Sequence, residues 1–129
     1  MKKLMARLKK ESLKKVKFSR GWIFVEYDGK ILVNHIIIEK HQEFVGRWDI
    51  DLNVVYIDDD LEGLDMEAVA VHETIEKYVS QEYELDPYGE SHDIATIKEK
   101  EFVQKNKGNW KSHQIKIAHI WRKESKRSH

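Results

Sequence analysis

Hydrophobic residues change their spacing along the chain from helical to alternating and back to helical. Over residues 1–17 apolar residues recur between lysines at near-helical spacing and predict a basic N-terminal helix. Residues 21–57 are rich in β-branched and aromatic side chains and predict a β region. Helical periodicity returns over residues 65–105, where two helices are expected, and again in the basic segment 110–129.

The β region contains a strong hairpin signal. Strands are expected at residues 21–27 and 30–38, and Asp28-Gly29 between them is a dipeptide favoured in two-residue hairpin turns. Residues 53–57 are rich in β-formers and predict a further short strand. The sequence therefore predicts a small antiparallel sheet.

The boundaries of the helical segments are marked by capping residues. Asp65 is the expected N-cap of a helix ending near residue 81, and Asp86-Pro87 is expected to start a helix that ends at residue 105. The last helix is expected over residues 110–124, with a polar tail behind it. A hairpin and a strand packed with about four helices form an α+β fold, and 129 residues are enough for one domain.

Charge is strongly segregated although the formal net charge is zero. Residues 1–20 contain nine basic residues and one acidic residue, and residues 105–129 contain eight and one. The middle, residues 21–104, contains six basic and 21 acidic residues. The basic ends either bind nucleic acid or pack on the acidic middle, and the lack of interleaved aromatic and basic residues favours packing.

Composition excludes several kinds of site. The chain has no cysteine, so a metal must be bound by His, Asp or Glu. No apolar run approaches the length needed to cross a membrane, and the basic N-terminus lacks the apolar core of a secretory signal. We therefore expect a cytoplasmic protein, and the many Lys, Glu and Ile residues favour a thermophilic source.

The second helical segment contains an H-E-x-x-E sequence formed by His72, Glu73 and Glu76. Residues four apart share one face of a helix, so His72 and Glu76 point the same way. In the H-E-x-x-H pattern two histidines bind zinc and the glutamate is the general base. With His92 in the next helix, the ligands become two histidines and a carboxylate, the set of a hydrolytic zinc site with one open position.

The surroundings of this sequence favour a metal site. Apolar residues flank it on both sides, so its polar groups are expected to face inward. His92 lies in the first turns of the following helix, which lets two helices converge on one ion. Glu99 shares a face with His92 and is expected as a fourth ligand or as the acceptor for an imidazole N–H. The alternative is a solvated helical face with an ordinary i,i+4 pair.

Two further groups carry weaker signals. The acidic run 58–60 with Glu62 could bind Ca²⁺ or Mg²⁺, but its spacing does not match an EF-hand loop. An acidic turn at the N-terminus of a helix is the favoured interpretation. Trp22 and Trp48 are expected to be core residues.

Residues 53–105 resemble a group of small uncharacterised archaeal and phage proteins with a strand, an H-E-x-x-E helix and a further helix carrying His and Glu. The matching segments are Y-I-D at 56–58, A-V-A-V-H-E-T-I-E at 68–76 and S-H-D-I-A-T-I-K-E at 91–99. These proteins are similar in turn to minimal zincin metallopeptidases. Zincins place an edge strand beside the motif helix and take their third ligand from the following helix, so the resemblance implies a minimal zincin-like fold.

The resemblance implies that His72, Glu76 and His92 bind zinc, with Glu73 as the general base that takes a proton from metal-bound water. The strand ending at Ile57 would be the edge along which an extended peptide pairs. A carboxylate in the second-His position also suits Mn or Fe. Candidates for the stabiliser of the oxyanion are His35, His41, Tyr83, Tyr88 and His113.

Three functions are thus expected from the sequence. The first is a zinc-dependent, zincin-like hydrolase. The second is a metal-binding protein without catalysis, in which the ion joins two helices. The third is a nucleic-acid-binding accessory protein that uses its basic ends.

Overall fold

The computed structural model describes residues 2–40 and 45–127, with side chains up to residue 124. This part of the chain forms a mixed five-stranded sheet packed with four helices, which confirms the α+β class. The helices are α1 (Lys2–Lys10), α2 (Gly63–Tyr83), α3 (Glu90–Lys105) and α4 (Trp110–Arg127). The strands are β1 (Lys15–Ser19), β2 (Trp22–Tyr27), β3 (Lys30–Glu39), β4 (Gly46–Trp48) and β5 (Val54–Asp58).

The strand order is β1-β2-β3-β5-β4, and every pair is antiparallel except β3 with β5. The prediction that the strand ending near Ile57 forms an edge is therefore wrong. This strand is β5, which pairs with β3 on one side and β4 on the other. The edge beside it is β4, which the sequence analysis missed because three residues are too few to show an alternating pattern.

The central hairpin forms as predicted, with β2 and β3 joined by a two-residue turn. Asp28 and Gly29 both have positive φ, 53° and 72°, as a type I′ turn requires. The predicted helix over residues 1–17 is wrong beyond Lys10. Its second half forms β1, in which Val16 and Phe18 pack on the core and alternate with lysines. That period of two belongs to a strand.

Helix α2 is the centre of the molecule. All eight residues from Ala68 to Ile75 are buried, because the sheet and α3 both pack on this helix. Its N-cap is Glu62, three residues before the helix-internal Asp65 that was predicted to be the cap. Helix α3 begins at Glu90, later than predicted, because Asp86 lies in a turn that precedes the helix.

The basic ends pack on the acidic middle. Ion pairs join Arg7 to Asp28 at 2.7 Å, Lys116 to Asp65 at 3.2 Å and Lys123 to Asp60 at 2.9 Å. Within the described ranges, no helix has the length and apolar character that crossing a membrane requires. The predictions for Met1, His41 and the last two residues lie outside the described residues.

Candidate metal centre

Helices α2 and α3 bring three of the predicted ligands together. His72 and Glu76 lie one turn apart on α2, and His72 Nε2 is 3.1 Å from Glu76 Oε2. His92 reaches the same oxygen from α3, with Nδ1 at 3.2 Å. The three ligand atoms lie within 4.8 Å of one another. The side chain of His92 is 55% exposed, so solvent reaches the group from this side.

The spacing of these atoms fits a small cation. Zn–N and Zn–O bonds of about 2.0–2.1 Å at a tetrahedral angle place neighbouring ligand atoms about 3.3 Å apart. The two distances from Glu76 Oε2, 3.1 and 3.2 Å, match that spacing. The other carboxylate oxygen, Oε1, accepts a hydrogen bond from the indole N–H of Trp48 at 2.9 Å. This bond fixes the orientation of Glu76, and Trp48 joins the site although it was predicted only as a core residue.

The other nitrogen of His72 is bound by Glu99. His72 Nδ1 is 2.8 Å from Glu99 Oε1, and the second oxygen of Glu99 hydrogen-bonds His113 Nε2. His113 in turn places Nδ1 2.7 Å from Asp65 Oδ1. Glu99 thus accepts from an imidazole on the side away from Glu76, which is the second of its two predicted roles. A carboxylate in this position holds a histidine ligand in one tautomer and orientation.

Carboxylates and imidazoles therefore alternate in one hydrogen-bonded row, which we name the histidine–carboxylate chain. In order along the row, its six members lie on α2, α4, α3, α2, α2 and α3. Sequence reasoning missed Asp65 and His113 as members, since no spacing rule connects α4 to the motif. The chain consists of Asp65, His113, Glu99, His72, Glu76 and His92.

The alternating partners shift the pKa values of the groups in this chain when no metal is bound. Burial lowers the pKa of His72, but hydrogen bonds to Glu76 and Glu99 outweigh it and raise the pKa to about 10. Burial raises the pKa of Glu76, but hydrogen bonds from His72 and His92 lower it to about 2. Burial also opposes the charged form of His113, yet its carboxylate partners raise its pKa. His72 is thus an imidazolium between two carboxylates, and a cation can replace the proton on Nε2.

Glu73 lies beside this group and is held differently. Its Oε2 is 4.0 Å from His72 Nε2, and no residue of the described ranges hydrogen-bonds its carboxylate. Burial raises the pKa of Glu73 to about 8, with the charges of Glu76 and Glu99 adding to the effect and His72 opposing it. A buried carboxyl group with a pKa near neutrality can act as a general base or acid.

The edge strand β4 packs directly on Glu73. A Cβ atom at Gly46 would lie 2.8 Å from Val69 Cγ1 and 3.0 Å from Glu73 Cγ, so only glycine fits at this position. In the pairing of β4 with β5, hydrogen bonds join residue 45 with residue 58 and residue 49 with residue 54. Arg47 pairs with Tyr56 midway between these two bonds. Backbone groups in an antiparallel pair point alternately inward and outward, so those of Gly46 and Trp48 point away from β5.

A cleft of about 870 Å³ opens beside the site. Its floor contains His72, Glu73 and Glu76 from α2, and β4 forms one wall. Another wall is α4, which presents apolar side chains. Residues lining this wall are Trp110, Ile117, Ala118 and Trp121. The site is thus buried in the molecule yet open on one side, as a site for a bound substrate must be.

The candidates for an oxyanion stabiliser lie in different places. His35 stacks on Trp22, and Tyr83 hydrogen-bonds Asp28, so neither lines the cleft. His113 lines the cleft but binds Asp65 and Glu99. Tyr88 lines the cleft and is exposed. Among the described candidates, Tyr88 is the one that could turn towards a substrate.

No family model matches the chain, and comparisons with curated proteins and with solved structures likewise gave no match. The zincin-like relationship therefore stays a prediction from the residues of the motif.

Proposed function

We propose that this protein is a metal-dependent hydrolase in which His72, Glu76 and His92 bind zinc and Glu73 is the general base. One observation carries the proposal. Three ligand atoms lie within 4.8 Å of one another, with the two spacings from Glu76 Oε2 matching a tetrahedral site, beside a buried carboxylate in an open cleft. A site that only joined two helices would need neither the cleft nor the uncommitted carboxylate.

Each side chain has a distinct task in this proposal. A cation held by His72, Glu76 and His92 would supply Lewis-acid chemistry, and its charge would favour the ionised form of Glu73. Glu73 accepts a proton from the attacking water, and Glu99 and Trp48 hold His72 and Glu76 in place. Glu73 can then pass the proton to the leaving group. Mn or Fe are alternatives to zinc because one ligand is a carboxylate.

An extended peptide is the proposed substrate. The strand β4 lines the cleft, and the backbone groups of Gly46 and Trp48 point away from β5. A peptide could pair with them as an added strand, which would lay its backbone across the floor of the site. This moves the proposed pairing edge from β5, where the sequence placed it, to β4. The cytoplasmic location stays a prediction from the sequence.

A metal-binding protein without catalysis is the second candidate. It requires a fourth protein ligand to close the coordination sphere, and Glu99 was the predicted one. Both oxygens of Glu99 are engaged by imidazole nitrogens, at His72 Nδ1 and His113 Nε2. This arrangement favours an open position and hence the hydrolase. Nucleic-acid binding through the basic ends has less support, because Arg7, Lys116 and Lys123 are paired with carboxylates.

The test begins with protein purified without a polyhistidine tag. We expect about one zinc per chain by elemental analysis and a rise in Tm when zinc is added to metal-depleted protein. Protein that binds no metal and shows no shift with zinc, Mn or Fe would contradict both metal-binding functions. Salt-dependent binding to nucleic acid would then support the third.

Catalysis is tested separately with Glu73→Gln. Hydrolysis of a mixed peptide pool should fall by about 10²-fold or more, while zinc binding is kept, because the base is lost but the ligands remain. The matched control is Glu67→Gln on the same helix, outside the cleft. Equal turnover in Glu73→Gln and the wild type would remove Glu73 from the mechanism. Zinc binding without turnover in any variant would support the metal-binding alternative.

A further inference from the structure

A second group of potential ligands lies at the end of β5, in the acidic turn Asp58-Asp59-Asp60. One carboxylate oxygen from each residue lies within 4.8 Å of the others. Asp58 is the last residue of β5 and is fully buried, whereas Asp59 and Asp60 are exposed. The turn is closed by a hydrogen bond from the Asp60 N–H to Asp58 Oδ1 at 2.8 Å.

The sequence favoured a capping role for this turn, and the structure gives it another position. Helix α2 starts at Gly63, its N-cap is Glu62, and no side chain caps it by a hydrogen bond. The first helical bond of this region, from Met66 N–H, goes to the backbone carbonyl of Glu62. The carboxylates of the aspartate turn thus form no capping hydrogen bond with the helix.

Asp58 provides an independent observation. Its relative exposure is 0%, and Oδ2 has no hydrogen-bond partner. An unpaired carboxylate oxygen away from water costs several kcal/mol unless a cation or a proton satisfies it. Burial raises the pKa of Asp58, and the neighbouring charges of Glu124, Asp60 and Asp59 raise it further. Negative charge has therefore accumulated around an oxygen that lacks a partner.

Opposite charge near the turn comes from α4. Lys123 Nζ lies 2.9 Å from Asp60 Oδ2 and offsets one of the carboxylates. The next residue, Glu124, is buried and adds a fourth carboxylate on the same side. The turn and α4 thus meet through one ion pair and through the like charges of Asp58 and Glu124.

We propose that Asp58, Asp59 and Asp60 bind a hard divalent cation, Ca²⁺ or Mg²⁺, with Asp58 Oδ2 as the buried ligand. All the ligands offered are carboxylate oxygens, which such cations prefer, whereas the histidine-containing site suits zinc. The cation would replace the missing partner of Asp58 and attract Glu124. Because α4 forms one wall of the cleft, this second ion would hold that wall in place. The proposal does not depend on the first site being catalytic.

The experiment uses metal-depleted full-length protein and titrates it with Ca²⁺ or Mg²⁺ alone. We expect Tm to rise by about 5 °C when the ion is at about ten times its Kd. Asp58→Asn should abolish this rise, and Asp59→Asn should reduce it at an exposed position where folding is not at risk. The control is Asp51→Asn, an exposed aspartate in the loop before β5, which should keep the full rise.

Two results would overturn the proposal. The first is a wild type whose Tm does not respond to either ion, together with an Asp58→Asn variant that is simply more stable. Together these two results would mean that Asp58 is a buried carboxylate that binds no ion. The second is a Tm rise that Asp58→Asn keeps in full, which would place the ion elsewhere. Zinc binding by the same variants reports on the first site, so the two proposals fail separately.

Discussion

Two polar clusters are attached to α2, and they satisfy their charges in opposite ways. The first is the histidine–carboxylate chain in the middle of the helix. The second, which we name the Asp28 cluster, lies at the C-terminal end and comprises Arg7, Asp28, Tyr78 and Tyr83. Asp28 Oδ1 accepts from Arg7 at 2.7 Å, and Oδ2 accepts from Tyr78 at 2.7 Å and from Tyr83. Arg7 also donates to the Tyr83 hydroxyl at 2.9 Å.

The difference lies in the origin of the donors. In the Asp28 cluster one carboxylate meets donors that keep their protons at neutral pH, so the cluster is complete without a ligand. In the histidine–carboxylate chain three carboxylates face three imidazoles, with Glu73 as a further acid close by. Its hydrogen bonds depend on protons that a metal can displace. A polar cluster whose hydrogen bonds are complete without a ligand is typical of a structural role. A cluster whose hydrogen bonds need added protons is typical of a binding site.

The largest expected effect is on zinc binding by His72→Gln. Removing a ligand nitrogen that Glu99 also orients should weaken zinc binding by more than about 100-fold. The measurement is competition with a chromophoric chelator. The control is His35→Gln, since His35 stacks on Trp22 away from the cleft. If both variants bound zinc like the wild type, the chain would be a structural network like the Asp28 cluster.

Asp28→Asn should lower stability and leave zinc binding unchanged. Asparagine tolerates the positive φ of this turn, so the exchange removes charge with little backbone strain. Losing the charge-assisted bonds to Arg7, Tyr78 and Tyr83 should lower the free energy of unfolding by about 2 kcal/mol, with no change in zinc affinity. Urea unfolding and the chelator assay measure the two effects. A loss of zinc affinity here would show that the two clusters are coupled through α2.

His113→Gln tests how far the chain extends from the ligands. His113 touches Glu99 and Asp65 but no proposed ligand, so zinc affinity should fall by about tenfold and binding should persist. The matched control is His119→Gln on the same helix, an exposed residue outside the cleft. Identical zinc affinities in the two variants would confine the functional part of the chain to α2 and α3.

The smallest expected effect concerns stability in metal-free protein: the contributions of the two clusters should depend on pH in different ways. Burial raises the pKa of Asp28, but hydrogen bonds from Tyr83, Tyr78 and Arg7 outweigh it and hold the pKa below 3.8. Its contribution to stability is therefore present above pH 3.8 and is lost as the pH falls through the folded value. The pKa of His72 rises from 6.5 to about 10, so its contribution is full below pH 6.5 and is lost as the pH rises through 10.

Thermal unfolding of metal-free wild type, Asp28→Asn and His72→Gln across this range measures both trends. The difference between wild type and Asp28→Asn should shrink in acid, and the difference between wild type and His72→Gln should shrink in alkali. A His72→Gln difference that stayed constant between about pH 6 and pH 10 would contradict the imidazolium assigned to His72.

Local sequence patterns were enough for the elements that position the ligands. The period of 3.6 predicted the helices that became α2 and α3, and the i,i+4 spacing placed His72 and Glu76 on one face. Asp28-Gly29 predicted the hairpin turn because only a few residues tolerate two successive positive φ values. These features follow from contacts within a few residues, so a sequence alone determines them.

Tertiary structure decided what surrounds those ligands. Only strand pairing placed β5 inside the sheet and β4 at its edge, with Gly46 against Glu73. Only helix packing brought His113 of α4 to Glu99 and joined Asp65 to the chain. Such contacts join residues far apart in the chain, and their free energy depends on burial that no local pattern encodes. The sequence determined which side chains could bind a metal, and the packing decided how they are held and where the site opens.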